Sequence, residues 1–110
     1  MLLKELIDRC GFRIITASNL NEEIKDGYIG DLLSDVMGNA PADSIWLTVQ
    51  SHVNILAVAS ITGIKAILLC NGLSYEEETI EKAKENDITL LETEKSSFHA
   101  SLALFEAGLR

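Results

Sequence analysis

The sequence predicts an α/β domain: a mostly parallel sheet of four to five strands with helices on both faces, in three layers. Three observations carry that prediction. Segments with the 3.6-residue periodicity of amphipathic helices alternate with short β-branched runs. The run Lys65-Ala66-Ile67-Leu68-Leu69-Cys70 is apolar without alternation, as a strand covered on both faces must be. A chain of 110 residues, 47% hydrophobic and 24% charged with a single proline, has the size and composition of one globular domain spanning 1–110.

The elements follow in order. Leu2, Leu3, Leu6 and Ile7 fall at helical spacing, with Gly11 as the stop. Arg13 to Ala17 is β-branched at its centre and reads as a strand. Residues 24–28 leave two readings open, loop or edge strand, because Lys25-Asp26-Gly27 carries a turn signal. Ile29, Leu32, Leu33, Val36 and Met37 repeat as one helical face, and Gly38-Asn39-Ala40-Pro41 ends it. Ile45–Val49 is a strong strand. Residues 53–62 are apolar nearly all round, so that helix needs cover on more than one side and is a candidate dimer contact. After the strand 65–70, Asn71-Gly72 leads into a charged helix, Glu76 to Glu85, and then the strand Ile88–Leu91. The last helix sets Phe98, Leu102, Phe105 and Leu109 on one apolar stripe.

Charge and composition remove several classes of function. A net charge of −8 argues against nucleic-acid surfaces and anionic lipid. No segment approaches the roughly 20 apolar residues of a membrane span. The run Met1 to Asp8 contains acidic residues and no small-residue cleavage site, so it does not read as a signal peptide. Cys10 and Cys70 are isolated, without metal-ligand spacing, and suit a reducing cytoplasm as small apolar side chains. The sequence holds no P-loop, no G-x-S-x-G and no H-E-x-x-H. No cofactor or metal is expected.

In open α/β sheets ligands sit at the carboxyl ends of the strands. Four loops are expected there: Ala17-Ser18-Asn19, Gln50-Ser51-His52, Cys70-Asn71-Gly72 and Thr93 to Ser97. The candidate ligand residues are therefore Thr48, Gln50, Ser51, His52, Asn54, Cys70, Asn71 and Gly72. Gln50 to Asn54 stands out, because it opens an apolar helix whose first N–H groups favour an anion or polar ligand atom. Gln50 and Asn54 donate and accept, and His52 adds an imidazole able to take up or release a proton. Plain helix capping by Ser51 competes with that reading, and Asn54 within an apolar helix implies a buried amide in need of partners. Glu76-Glu77-Glu78 reads as a solvated helix start complementing the macrodipole. Neither histidine, His52 or His99, has an acid placed beside it by the sequence.

Residues 28–40, from Tyr28-Ile29-Gly30-Asp31 to Asn39-Ala40, followed by Ile45 to Ser60, resemble a DRTGG domain. The similarity extends over nearly the whole chain and is strongest across 28–72. The Asp-Arg-Thr-Gly-Gly motif itself is not retained: only Gly72 of Cys70-Asn71-Gly72 matches its Gly-Gly end, and the loop Thr48 to Asn54 stands where the rest would fall. The resemblance implies a fold like the N-terminal domain of HPr kinase/phosphorylase, whose kinase activity resides in a separate P-loop domain. It also implies a regulatory role, since such modules accompany CBS domains in nucleotide-regulated pyrophosphatases and tend to pair. Stand-alone members occur in anaerobes, sometimes encoded near iron hydrogenases.

The expected function is a non-catalytic, ligand-sensing homodimer that binds a small polar or anionic, nucleotide-like molecule. Two alternatives remain: an assembly subunit of a metabolic enzyme such as an iron hydrogenase, and an enzyme or phosphoryl acceptor using His52.

Overall fold

The computed structural model describes all 110 residues as ten elements. They are α1 (Leu3–Cys10), β1 (Arg13–Thr16), β2 (Asp26–Ile29), α2 (Leu33–Asn39), β3 (Ser44–Thr48), α3 (Asn54–Thr62), β4 (Ala66–Leu69), α4 (Glu77–Glu85), β5 (Thr89–Glu92) and α5 (Ser97–Ala107). The strands form one sheet in the order β1-β5-β4-β3-β2. Strands β2 to β5 are parallel, and β1 joins β5 antiparallel, with Arg13 opposite Glu92 and an irregularity before Thr16. The three-layer α/β prediction holds, and the open reading of residues 24–28 resolves as edge strand β2.

Each parallel crossover steps to the next strand in the same direction. Right-handed connections that all step one way put their helices on one face. Val36 of α2, Ile55, Leu56, Val58 and Ala59 of α3, and Ala83 of α4 accordingly share a core with Trp46, Ile67, Leu69 and Leu90. The opposite face is covered by α1 and α5, where Leu3, Leu6, Ile7, Ala100 and Leu104 pack on Ile45, Leu47, Leu68, Cys70 and Leu91. Strands β3 and β4 are buried along their whole length. No helix is long and apolar enough to cross a membrane.

Two helices differ from their predicted form. Ile29 belongs to β2, and α2 begins at Leu33, because residues 30 and 31 have other work: Gly30 O accepts the Trp46 indole N–H (2.8 Å), and Asp31 turns toward the next loop. The stripe Phe98, Leu102, Phe105 does not face the core. These side chains are 65%, 42% and 53% exposed, while α5 docks through Ala100 and Leu104. The face with small side chains lets the helix approach the sheet, and the larger ones are left outside.

Helix α3 is also less surplus in apolar surface than its composition implied. Sheet and neighbouring helices cover Ile55, Leu56, Val58 and Ala59, leaving Ile61 as its one large exposed apolar residue.

Candidate functional site

The loop from β3 to α3 is held at both ends. Thr48 is buried, and its hydroxyl donates to Asp31 Oδ1 (2.9 Å), which also accepts from Val49 N–H (2.9 Å). Gln50 N–H donates to Thr48 Oγ1 (3.2 Å), and the Gln50 amide reaches back to Asp31 O (3.0 Å). Farther on, Ser51 O accepts the Thr79 hydroxyl (2.8 Å) and the Glu76 N–H (3.5 Å). Asp31 thus sets the entrance of the loop, and α4 sets its exit.

Between these ties lies a row of unused donors. Ile55 and Leu56 N–H turn back on His52 O and Val53 O (3.2 and 3.1 Å), which tightens the first turn of α3. The N–H groups of Ser51, His52, Val53 and Asn54 have no acceptor, and no side chain caps the helix. Ser51 is therefore not the cap that the competing reading required. A helix start with open N–H groups carries a partial positive charge that favours anions.

His52 is exposed and its Nδ1 pairs with the Glu76 carboxylate. The sequence alone places no acid beside His52, and it marks Glu76 as a solvated helix-start residue. The two meet because α3 and α4 leave neighbouring strands on the same face of the sheet. Asn54 is exposed, contrary to the expectation of a buried amide: it is the first residue of α3, and the helix buries Ile55, Leu56, Val58 and Ala59 instead. It stands with the free N–H groups and needs no protein partner.

The loops after β4 and β5 leave to opposite faces, so the topological switch point of this sheet lies between them. There Cys70 N–H donates to Thr48 O (2.9 Å), Asn71 N–H to Lys95 O (2.8 Å) and Gly72 N–H to Thr93 O (3.0 Å). Asn71 and Gly72 both take left-handed backbone (φ 67° and 69°), and a Cβ on Gly72 would collide with the Glu94 carboxylate. The two loops fill their own crevice. The Cys70 donor extends the ladder to β3, and those of Asn71 and Gly72 staple the two loops, in contrast to the free donors of residues 51–54. Burial pushes the Cys70 thiol up to about 11, so it stays protonated at neutral pH.

One of the four expected loops lies elsewhere. Because β1 is antiparallel, Ala17-Ser18-Asn19 emerges at the amino end of the parallel strands, where Ser18 N–H donates to Thr89 Oγ1 (3.0 Å).

Four groups that shape the site are not among the candidate residues that the sequence offers. Asp31 and Glu76 are exposed acids whose roles depend on contacts across elements. Tyr75 is buried between β4 and β5, its hydroxyl 3.0 Å from both Ile67 O and Leu91 O, and its N–H donates to Glu92 Oε2 (3.2 Å). Glu92 is buried and held by Arg13 (3.0 Å). An aromatic three residues after Asn71-Gly72 was the one available signal.

Comparison with solved structures shows a likeness of fold. The chain is similar to the CBS and DRTGG domains of the regulatory region of Clostridium perfringens pyrophosphatase, a structure complexed with the activator diadenosine tetraphosphate. The TM-score is 0.78 at 18% identity, over 96% of this chain and 46% of that one. The fold is therefore related to that of the CBS and DRTGG region. No family model matches the sequence, and no curated protein matches it.

Proposed function

We propose that this chain is a non-catalytic regulatory domain that senses a small polar or anionic, nucleotide-like ligand at the start of α3 and pairs with a second copy. The carrying observation is the row of N–H groups at Ser51, His52, Val53 and Asn54, all without acceptors, in a loop fixed by Asp31 on one side and α4 on the other. Gln50, Ser51 and His52 border that row and supply orienting side chains. Thr48 acts beneath them by holding the loop, while Cys70, Asn71 and Gly72 shape the neighbouring wall. The likeness to a regulatory region solved with a nucleotide activator supports the same reading.

Catalysis is the weaker reading of this geometry. His52 has a carboxylate partner, but no activated nucleophile completes a triad-like arrangement with them. Cys70 is buried and protonated. Both cysteines are free thiols, which fits a reducing cytoplasm.

Thermal melting with ATP, AMP, diadenosine tetraphosphate and inorganic phosphate tests the ligand part. Ligand at 100 times Kd stabilises the native state by about 2.7 kcal/mol. The expected result is a saturable rise in Tm that shrinks in His52→Ala and Gln50→Ala. No shift with any of the four removes the ligand part.

A specific observation keeps the assembly reading alive. The exposed stripe of α5 borders an apolar groove of about 260 Å³ against edge strand β2, lined by Tyr28, Ile29, Leu104 and Phe105. We assign the pairing contact to this edge, in place of α3, with a second copy as occupant. An enzyme such as an iron hydrogenase is the alternative partner. Light scattering on native protein and Phe105→Glu decides: a dimer that becomes a monomer supports self-pairing, and a native monomer refutes it.

A further inference from the structure

We propose that two copies of this chain join edge to edge through β2, each Ile29 filling the apolar groove over the partner's Gly27, so that two five-stranded sheets become one. This rests on the pairing assigned above to the same side of the molecule, and adds its register and its bonds.

The two edges of the sheet are not alike. At β1 the ladder to β5 is interrupted between Ile14 and Thr16, and Arg13 turns back to pair with Glu92. Such an irregularity twists an edge away from further pairing. Strand β2 runs in unbroken register with β3 over all four of its residues and contains neither lysine nor proline. Gly30 N–H donates to Leu47 O (3.2 Å). By the alternation of a ladder Tyr28 also faces β3, and Gly27 and Ile29 turn their N–H and C=O groups to the open edge. There the Gly27 N–H is met by the exposed carboxylate of Asp26 (2.8 Å), a guard that can swing aside.

The side chains carry the register. Gly27 and Ile29 lie beside Ile45 and Leu47 on the α5 side of the sheet, and Tyr28 lies beside Trp46 on the other. The missing side chain of Gly27 opens the floor of the groove, which Leu104, Phe105 and Leu109 wall. Two residues farther on, Ile29 projects into solvent. One strand therefore offers both a hole and a knob. A two-fold axis through Tyr28 pairs the strands antiparallel and sets each Ile29 opposite the partner's Gly27, on the same face. These are hydrogen-bonded pairs, so each exchanges two N–H···O bonds. The charges are complementary as well. In a chain of net charge −8 this groove carries one acid, Asp26, and one base, Arg110, which stacks on Phe105 (4.5 Å). Two copies meet here without net repulsion, and Arg110 is at hand for the carboxylate that leaves Gly27.

Gly27→Val tests the register by plugging the hole. A Cβ at this position lies 3.7 Å from Ile45, an ordinary contact, and a β-branched residue suits a strand. The variant should keep a cooperative melt and sediment as a monomer at concentrations where the native chain is a dimer. Tyr28→Cys is the second arm. The axis brings the two copies of this residue together as a non-hydrogen-bonded pair, with Cα atoms about 4.5 Å apart and within disulfide reach. Mild oxidation should give a covalent dimer whose bond peptide mapping places between the introduced cysteines, whereas Ile14→Cys on β1 should give none. A monomeric native chain overturns the pairing reading and this inference together. A native dimer that persists in folded Gly27→Val, or that yields no cross-link in Tyr28→Cys, overturns this inference alone and leaves the pairing to the outer face of α5.

Discussion

Helices α3 and α5 are written in nearly the same apolar alphabet, yet the fold treats them oppositely. Helix α3 buries Ile55, Leu56, Val58 and Ala59 between the sheet and its neighbours α2 and α4. Helix α5 buries Ala100 and Leu104 and leaves Phe98, Leu102 and Phe105 in solvent. A central crossover helix has covered flanks on two sides. A terminal helix has one, here α1, and its outer apolar surface is left for something else to cover. Composition alone does not separate the two cases; position in the topology does.

The widest separation should come from truncating one side chain on each helix. Ile55→Ala opens a cavity in a filled core and should cost about 2–5 kcal/mol. Phe105→Ala should stay within about 0.5 kcal/mol in the monomer, as surface changes do. Urea denaturation of the two variants measures both, and equal losses would collapse the distinction.

Alkaline titration compares the two faces from inside. Cys70 lies in the core under α5, with its thiol pushed up to about 11 from 9.0 by burial. Tyr75 lies in the core under α3, its phenol raised well above 10.0 by burial and by Glu92. Groups whose folded pKa is raised hold protons that the unfolded chain releases, so their contribution is complete below the unfolded values and is lost as pH rises. Tm should fall from about pH 9 upward, with a Cys70 contribution on the order of 2 kcal/mol by pH 11. Cys70→Ala should remove the earlier part of that decline and Tyr75→Phe the later part.

A smaller effect is expected at the entrance to α3. Asp31→Ala takes one carboxylate acceptor from Thr48 Oγ1 and Val49 N–H and should cost about 1–2 kcal/mol. The same variant should weaken ligand binding at Gln50 and His52 more than the stability loss explains, since it frees the loop that presents the donors. Unchanged affinity would show that the loop does not need Asp31 to hold its shape.

Much of this architecture is legible in the sequence. The unalternating run 65–70 announces a doubly covered strand, and Gly11, Gly63 and Pro41 mark helix ends. The start of α3 after Thr48 follows from a strand that runs into Gln50-Ser51. What sequence could not show depends on strand order. The antiparallel pairing of β1 moves Ala17-Ser18-Asn19 to the far end of the sheet, and no local property of Arg13–Thr16 announces that direction. The pairing of His52 with Glu76 joins residues whose proximity depends on which face α4 takes. The exposure of Asn54 depends on which face of α3 the sheet covers, which a segment apolar nearly all round does not encode.

The staple between the loops after β4 and β5 also has a consequence in time. Asn71 and Gly72 are solvent-exposed, yet their amides are held by Lys95 O and Thr93 O across two separate loops. Breaking those bonds requires the segment leading into α4 and the segment leading into α5 to part. In deuterium exchange these two amides should behave like sheet amides, opening only in concert. Those of Ser51 to Asn54, a few residues away across the same rim, should exchange almost as fast as free peptide. One rim of the sheet would then hold both the slowest loop of the molecule and its quickest.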